Sequence, residues 1–83
     1  MEENEIRSKL RKFICTEIMN DAEYPLKYDE PLITSGLIDS FSLAQVGVFV
    51  EIEFQIYIPD PELTVDNMNT IDAMAARIKE KMG

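Results

Sequence analysis

Eighty-three residues carrying a formal net charge of −8 suffice for one small domain with a single modest core, spanning 1–83, and leave no second lobe to form a cleft. Hydrophobic residues at 46% and charged residues at 29% describe a soluble globular chain and argue against disorder. The acidic balance argues against nucleic-acid binding, which needs a basic stripe to offset phosphate, and against a polybasic role at a membrane surface.

The charges are also segregated: nine acidic residues and no base lie between Lys27 and Arg77, a surface suited to basic partners. No stretch approaches the roughly 20 apolar residues that cross a bilayer. The amino terminus is charged from its second residue and has no apolar signal-peptide core. Cys15 is the lone cysteine, so neither an internal disulfide nor a multi-cysteine zinc site can form, as suits a reducing compartment. A cytoplasmic monomer without membrane insertion is expected.

In chain order, Ile6, Leu10, Phe13, Ile14 and Ile18 recur at helical spacing and predict an amphipathic first helix that ends at Asn20 and Asp21. A long loop follows to about Ile38, with Pro25, Pro31 and Gly36 in it. So long a loop is either functional or pinned by its own apolar residues, here Tyr24, Leu26, Tyr28, Leu32, Leu37 and Ile38. The second helix is predicted from Asp39 or Ser40 to Phe54, before an extended IYIP stretch. Asp60-Pro61-Glu62 reads as N-cap, first-turn proline and first-turn acid of a short third helix, interrupted by Asn67 and Asn69. A last helix starts near Asn69 or Thr70, with Asp72 at its positive end and Gly83 closing it. Ile71, Met74, Ala75, Ile78 and Met82 form its apolar stripe. No segment reads as a strand, so the expected fold is all-α, a four-helix bundle with a long first loop and a short third helix.

The second helix is apolar on two sides. Leu43, Val46, Val50 and Phe54 gather on a core face, while Phe41, Ala44, Val48 and Ile52 gather nearly opposite, with Gln45 among them. The second face needs a cover: the third helix, a ligand or a partner protein. Gly47 lies beside the core face. A glycine inside a helix costs about 0.5–1 kcal/mol against alanine, so its presence asks for a reason such as the close approach of a neighbouring helix.

Ser40 stands at the head of this helix. A serine nucleophile acting alone needs a general base, usually histidine, and the chain has no histidine. No EF-hand ladder surrounds Asp39, and Gly36 is too isolated to form a phosphate-cradling loop. A function for Ser40 therefore points to modification by another enzyme. A helix N-terminus suits an attached phosphate, because its free N–H groups and dipole favour an anion.

The run EPLITSGLIDSFSLAQVGVFVEIEFQIYIPD resembles the acyl carrier protein family and its peptidyl carrier relatives. The residues that carry the likeness are Gly36, Leu37, Asp39, Ser40 and Phe41, then Glu51, Phe54, Ile58 and Pro59. The first-helix stripe and the TIDAMAARI ending fit as well. The resemblance implies a stand-alone carrier, not itself an enzyme, whose Ser40 receives 4′-phosphopantetheine from coenzyme A through a phosphopantetheinyl transferase. An acyl group held as a thioester on that arm would be presented to acyl-activating and acyl-transferring enzymes with basic docking patches. Asp39 matches the family's aspartate, combining capping with recognition. Phe41, Ala44, Val48, Glu51 and Ile52 would face partners.

The chain departs from the commonest pattern at Phe41 and Ser42, where Leu-Asp is usual, and at Gln45 and Ile52, where acids are frequent. A specialised pathway is implied in place of general fatty acid synthesis. An aminoacyl or peptidyl carrier, an acidic helical interaction module without a prosthetic group, and a carrier-like protein phosphorylated on its serine remain as alternatives. Cys15, Met68, Met74 and Met82 read as packing residues, and no metal site is expected, although weak cation binding near Asp60 and Asp66 stays open.

Overall fold

A computed structural model describes residues 2–82; Gly83, the expected helix stop, lies outside them. Helix α1 runs over Glu3–Phe13, with Glu3 and Glu5 in its first turn and Arg11 and Lys12 in its last, each sign opposing the local end of the helix dipole. It continues into a π-helical turn, Ile14–Ile18, closed by the Met19 N–H donating to the Ile14 carbonyl at 2.9 Å. In this wider turn the adjacent Ile14 and Cys15 are both buried. Asn20, in the left-handed region at φ 56°, ends the helix, a conformation asparagine tolerates better than most residues.

The long loop is pinned as expected. Leu26, Leu32 and Ile38 are buried, and Tyr24, Tyr28, Ile33 and Leu37 pack half-buried against the core. Its backbone is tied to the far end of the chain: the Leu32 N–H donates to the Asn69 carbonyl at 2.7 Å, and the Asp72 N–H to the Tyr28 carbonyl at 3.0 Å. Gly36 takes φ 83°, which glycine adopts without steric cost, and the loop closes where the Ile38 N–H reaches the Leu32 carbonyl at 3.0 Å.

Helix α2, Ser40–Phe54, buries Leu43, Val46, Val50 and Phe54 and ends at Gln55 in the left-handed region. In the extended stretch beyond it Ile58 is buried while Tyr57 is exposed.

The third helix differs from the expectation. Asp60–Glu62 is a 3₁₀ turn whose N-cap is Pro59, with no side-chain cap from Asp60. A separate α3, Val65–Met68, follows Thr64. Leu63, at φ −83° and ψ 71°, lies outside helical space and divides the two pieces. Asn67 does not interrupt α3 but belongs to it, and its side-chain N–H reaches back to the Glu62 carbonyl at 3.1 Å. Asn69 is the C-cap.

Helix α4 covers Ile71–Met82, and the Thr70 hydroxyl caps it by accepting the Ala73 N–H at 2.9 Å. Ile71, Met74, Ala75 and Ile78 are buried. Met82, expected on the same stripe, is exposed, because the last turn runs past the end of the core.

Ile6 and Leu10 of α1 and Ile14 of the π-helical turn share one core cluster with Val46 and Val50 of α2, Met68 of α3 and Ile71, Met74 and Ile78 of α4, all completely buried. Ion pairs bridge the helices at the surface: Arg7 to Asp72 at 2.7 Å joins α1 to α4, and Lys9 to Glu53 at 3.0 Å joins α1 to α2. Such exposed pairs contribute little each. The result is a compact all-α globule of four helices, the third short, with no strand among the described residues. Among those residues no helix is long and apolar enough to cross a membrane.

Candidate functional site at the head of helix α2

The chain enters α2 through Asp39, whose backbone is extended (φ −105°, ψ −175°) and whose carboxylate accepts the Ser42 N–H at 2.8 Å. The Asp39 carbonyl meanwhile accepts the Leu43 N–H at 2.9 Å, the first regular turn. Asp39 is therefore the cap and Ser40 the first helical residue, deciding between the two starts the sequence allowed. The Ser42 N–H, with its hydroxyl assisting, holds the Asp39 carboxyl below the ordinary aspartate value. Ser42, a departure from the carrier pattern, thus belongs to the cap.

Ser40 is exposed. Buried Ile38 fixes the chain two residues before it, and buried Leu43 three residues after it, so the serine stands out from an anchored backbone. Its position in the first turn sets it beside N–H groups that have no partner inside the helix.

From the next residue an apolar stripe runs along the outward face of α2. Phe41 is 73% exposed, Val48 57% and Ile52 76%, and Ala44, Gln45 and Glu51 are exposed with them. The third segment does not cover this face. It approaches α2 on another side, where the Leu63 methyls lie 3.4 and 3.6 Å from the position a Cβ on Gly47 would take. The space beside Gly47 is filled by a neighbouring side chain.

The stripe forms one wall of a groove of about 420 Å³ whose other lining comes from Phe13 and Phe49. These two rings stack with centroids 4.3 Å apart and planes 16° from parallel, and Phe49 meets Phe54 edge-on at 6.0 Å. By spacing alone Phe13 falls on the core stripe of α1, and Phe49 falls on neither face of α2. At 100° per residue Phe49 falls 60° from both Val46 and Ile52, and that intermediate angle was the signal for a residue linking core to groove.

Elsewhere, Cys15 is buried and its thiol lies 3.7 Å from the Tyr24 carbonyl. Among the described residues no three His, Cys, Asp or Glu side chains converge as a metal site requires. No family model matches the chain, and no curated protein matches it significantly.

Proposed function

We propose that this chain is a carrier protein that bears 4′-phosphopantetheine on Ser40 and presents acyl groups to separate enzymes, in a specialised pathway more than in general fatty acid synthesis. The observation that carries the reading is the juxtaposition at residues 39–41. An exposed serine opens a helix capped by Asp39, and an exposed apolar stripe starts one residue later.

The residues fit such a group. The Ser40 side chain is open to a second protein, and a phosphodiester there would sit at a helix N-terminus, which favours an anion. In the loading step Ser40 Oγ forms a bond to the phosphorus next to the pantetheine of coenzyme A. The pyrophosphate bond breaks, and adenosine 3′,5′-bisphosphate leaves. With no histidine in the chain, the base that takes the serine proton belongs to the transferase. Once attached, the arm supplies a thiol that carries an acyl group as a thioester. The chain's own residues hold the attachment point rigid and offer the surface that partners read. Phe41, Ala44, Val48 and Ile52 supply apolar contact, and Glu51 with the other acids of the central segment draws basic patches toward it.

Intact mass after incubation with coenzyme A and a broad-specificity phosphopantetheinyl transferase tests the assignment. Wild type should gain one arm and Ser40→Ala none. A wild type that gains nothing sinks the carrier reading and leaves the acidic interaction module, while a modified Ser40→Ala sinks the choice of serine.

A further inference from the structure

We infer that the outer side of α1 and the loop that follows it form a second docking surface, which takes a short acidic segment of a partner protein against Arg11, Lys12 and Lys27. This surface is separate from the α2 stripe and does not depend on the carrier reading.

The bases of the chain are unevenly satisfied. Arg7, Lys9, Arg77 and Lys81 hold ion pairs, and Lys79 is engaged as well. The other three of the eight bases, Arg11, Lys12 and Lys27, are exposed and their side chains hold no ion pair among the described residues. These three lie together. Arg11 and Lys12 line a hollow of about 280 Å³ beside Ser8 and Thr16. Arg11 and Lys27 line a second, of about 520 Å³, over Pro25, Leu26 and Tyr28. In a chain with 16 acids, no carboxylate lines either hollow. Two acids of the adjoining loop are held by uncharged donors instead. Glu30 accepts the Tyr24 hydroxyl and the Lys27 N–H, each at 3.2 Å, and Asp21 accepts the Glu23 N–H at 3.1 Å.

Shape and charge decide the partner. Two hollows that share one arginine make an extended site, longer than a single phosphate needs. Cations spread along it match carboxylates spaced along a peptide. The Arg11 guanidinium can take one carboxylate through two parallel bonds, while the lysines act as point charges. Pro25, Leu26 and Tyr28 offer an apolar side chain between those acids a surface to rest on. A flat bilayer or a long nucleic acid would spread past the hollows onto a chain of net charge −8, where like charge repels it; a short segment does not. No residue of α2 lines either hollow. A partner held there therefore leaves Ser40 and the α2 stripe free, so that one protein can retain the chain while it meets another.

The test titrates the unmodified full chain at low salt with a short fluorescein-labelled peptide alternating glutamate and leucine, read by anisotropy and by NMR shifts. Anisotropy should rise, with shifts gathered at Ser8, Arg11, Thr16, Lys27 and Tyr28 and absent from Val48 and Ile52. Affinity should fall as salt is added, and the same peptide with glutamine for glutamate should not bind. Arg11→Gln should weaken binding about tenfold, and Lys27→Gln should weaken it too, both with unchanged circular dichroism. Lys81→Gln, an equal change in net charge, should leave binding as it is. No binding, shifts centred on α2, equal binding of the glutamine peptide, or equal weakening by Lys81→Gln overturns the inference. Inorganic phosphate that moves the same signals and displaces the peptide assigns the site to a small anion. Sedimentation with phosphatidylserine vesicles that is lost in Arg11→Gln assigns it to a membrane. Either result overturns the partner class. Because the probe meets unmodified protein, a wild type that accepts no arm removes the carrier reading and leaves this test intact.

Discussion

The side-chain carbonyl of Asn69 accepts the backbone N–H of Ile33 at 2.9 Å, across 36 residues of sequence. It also accepts the Thr34 N–H at 3.1 Å, and its own backbone carbonyl takes the Leu32 N–H. One asparagine at the α3–α4 junction thereby clasps the loop that delivers Ser40. Removing the side chain leaves the Ile33 and Thr34 donors without these bonds. Asn69→Ala should cost about 1–3 kcal/mol in urea unfolding, and proteolysis should first cut the loop before α2. A loss within error would mean that the buried apolar residues of the loop hold it unaided.

The cap on α2 makes a pH prediction. The folded state lowers the Asp39 carboxyl pKa through the Ser42 N–H. The contribution is therefore complete above the unfolded aspartate value and is lost as the pH falls through the lower folded one. Asp39→Asn keeps an acceptor but removes the titration. The stability difference between wild type and this variant should shrink steadily on acidification below the ordinary aspartate range. A difference that does not change with pH there would show that the cap is not ionised. Ser40→Ala, one position inside the helix, should leave stability nearly unchanged.

Gly47 discriminates a filled from an open interior. With Leu63 methyls at 3.4 and 3.6 Å from a Cβ there, alanine makes ordinary contact, and Gly47→Ala should stabilise the chain by about 0.5–1 kcal/mol. Gly47→Leu must push Leu63 aside and should cost the unmodified protein about 1–3 kcal/mol. Chemical denaturation reads both. An unmodified protein indifferent to leucine at 47 would mean that the interior has space for cargo after all.

The two faces of α2 should respond oppositely. Leu43 is 7% exposed and belongs to the core, so Leu43→Ala should cost about 2–5 kcal/mol. Val48→Glu, on the exposed stripe, should stay within about 0.5 kcal/mol of wild type with an unchanged circular dichroism spectrum, while weakening loading or transfer by partner enzymes. If Val48→Glu unfolds the chain, the outward assignment of this face is wrong.

Cys15 should be silent in the native state. Burial pushes its thiol up, opposed by Arg11 and reinforced by Asp21 and Glu30, and the thiolate is the reactive form. A thiol reagent should label it slowly until denaturant is added. In protein carrying the arm, the fast-reacting thiol should then be the arm's. Rapid native labelling of Cys15 in the unmodified protein would contradict its burial.

Much of this molecule was legible in the sequence because helical periodicity is a local property. The stripe through Ile6, Leu10 and Ile14, the opposed faces of α2, and Ile71 to Ile78 of α4 all follow from spacing, and Asp39 before Ser40 marked a helix start. The acidic segment and the absence of histidine likewise restrict the chemistry.

What spacing could not decide depended on contacts between residues far apart in the chain. The third helix divided at Leu63, whose backbone leaves helical space and whose methyls lie against α2 at Gly47, and Asn69 read as a helix breaker although its amide ties down a loop 36 residues away. Met82 kept the helical phase but ran beyond the core that would have buried it. Phe13 and Phe49 belonged to no shared pattern until α1 and α2 were brought side by side, and only then did their stacked rings and the exposed stripe become one groove. Amphipathic phase depends on residues three and four positions apart, so the sequence carries it. A groove between two helices depends on how they are packed, and the tertiary structure alone decides that.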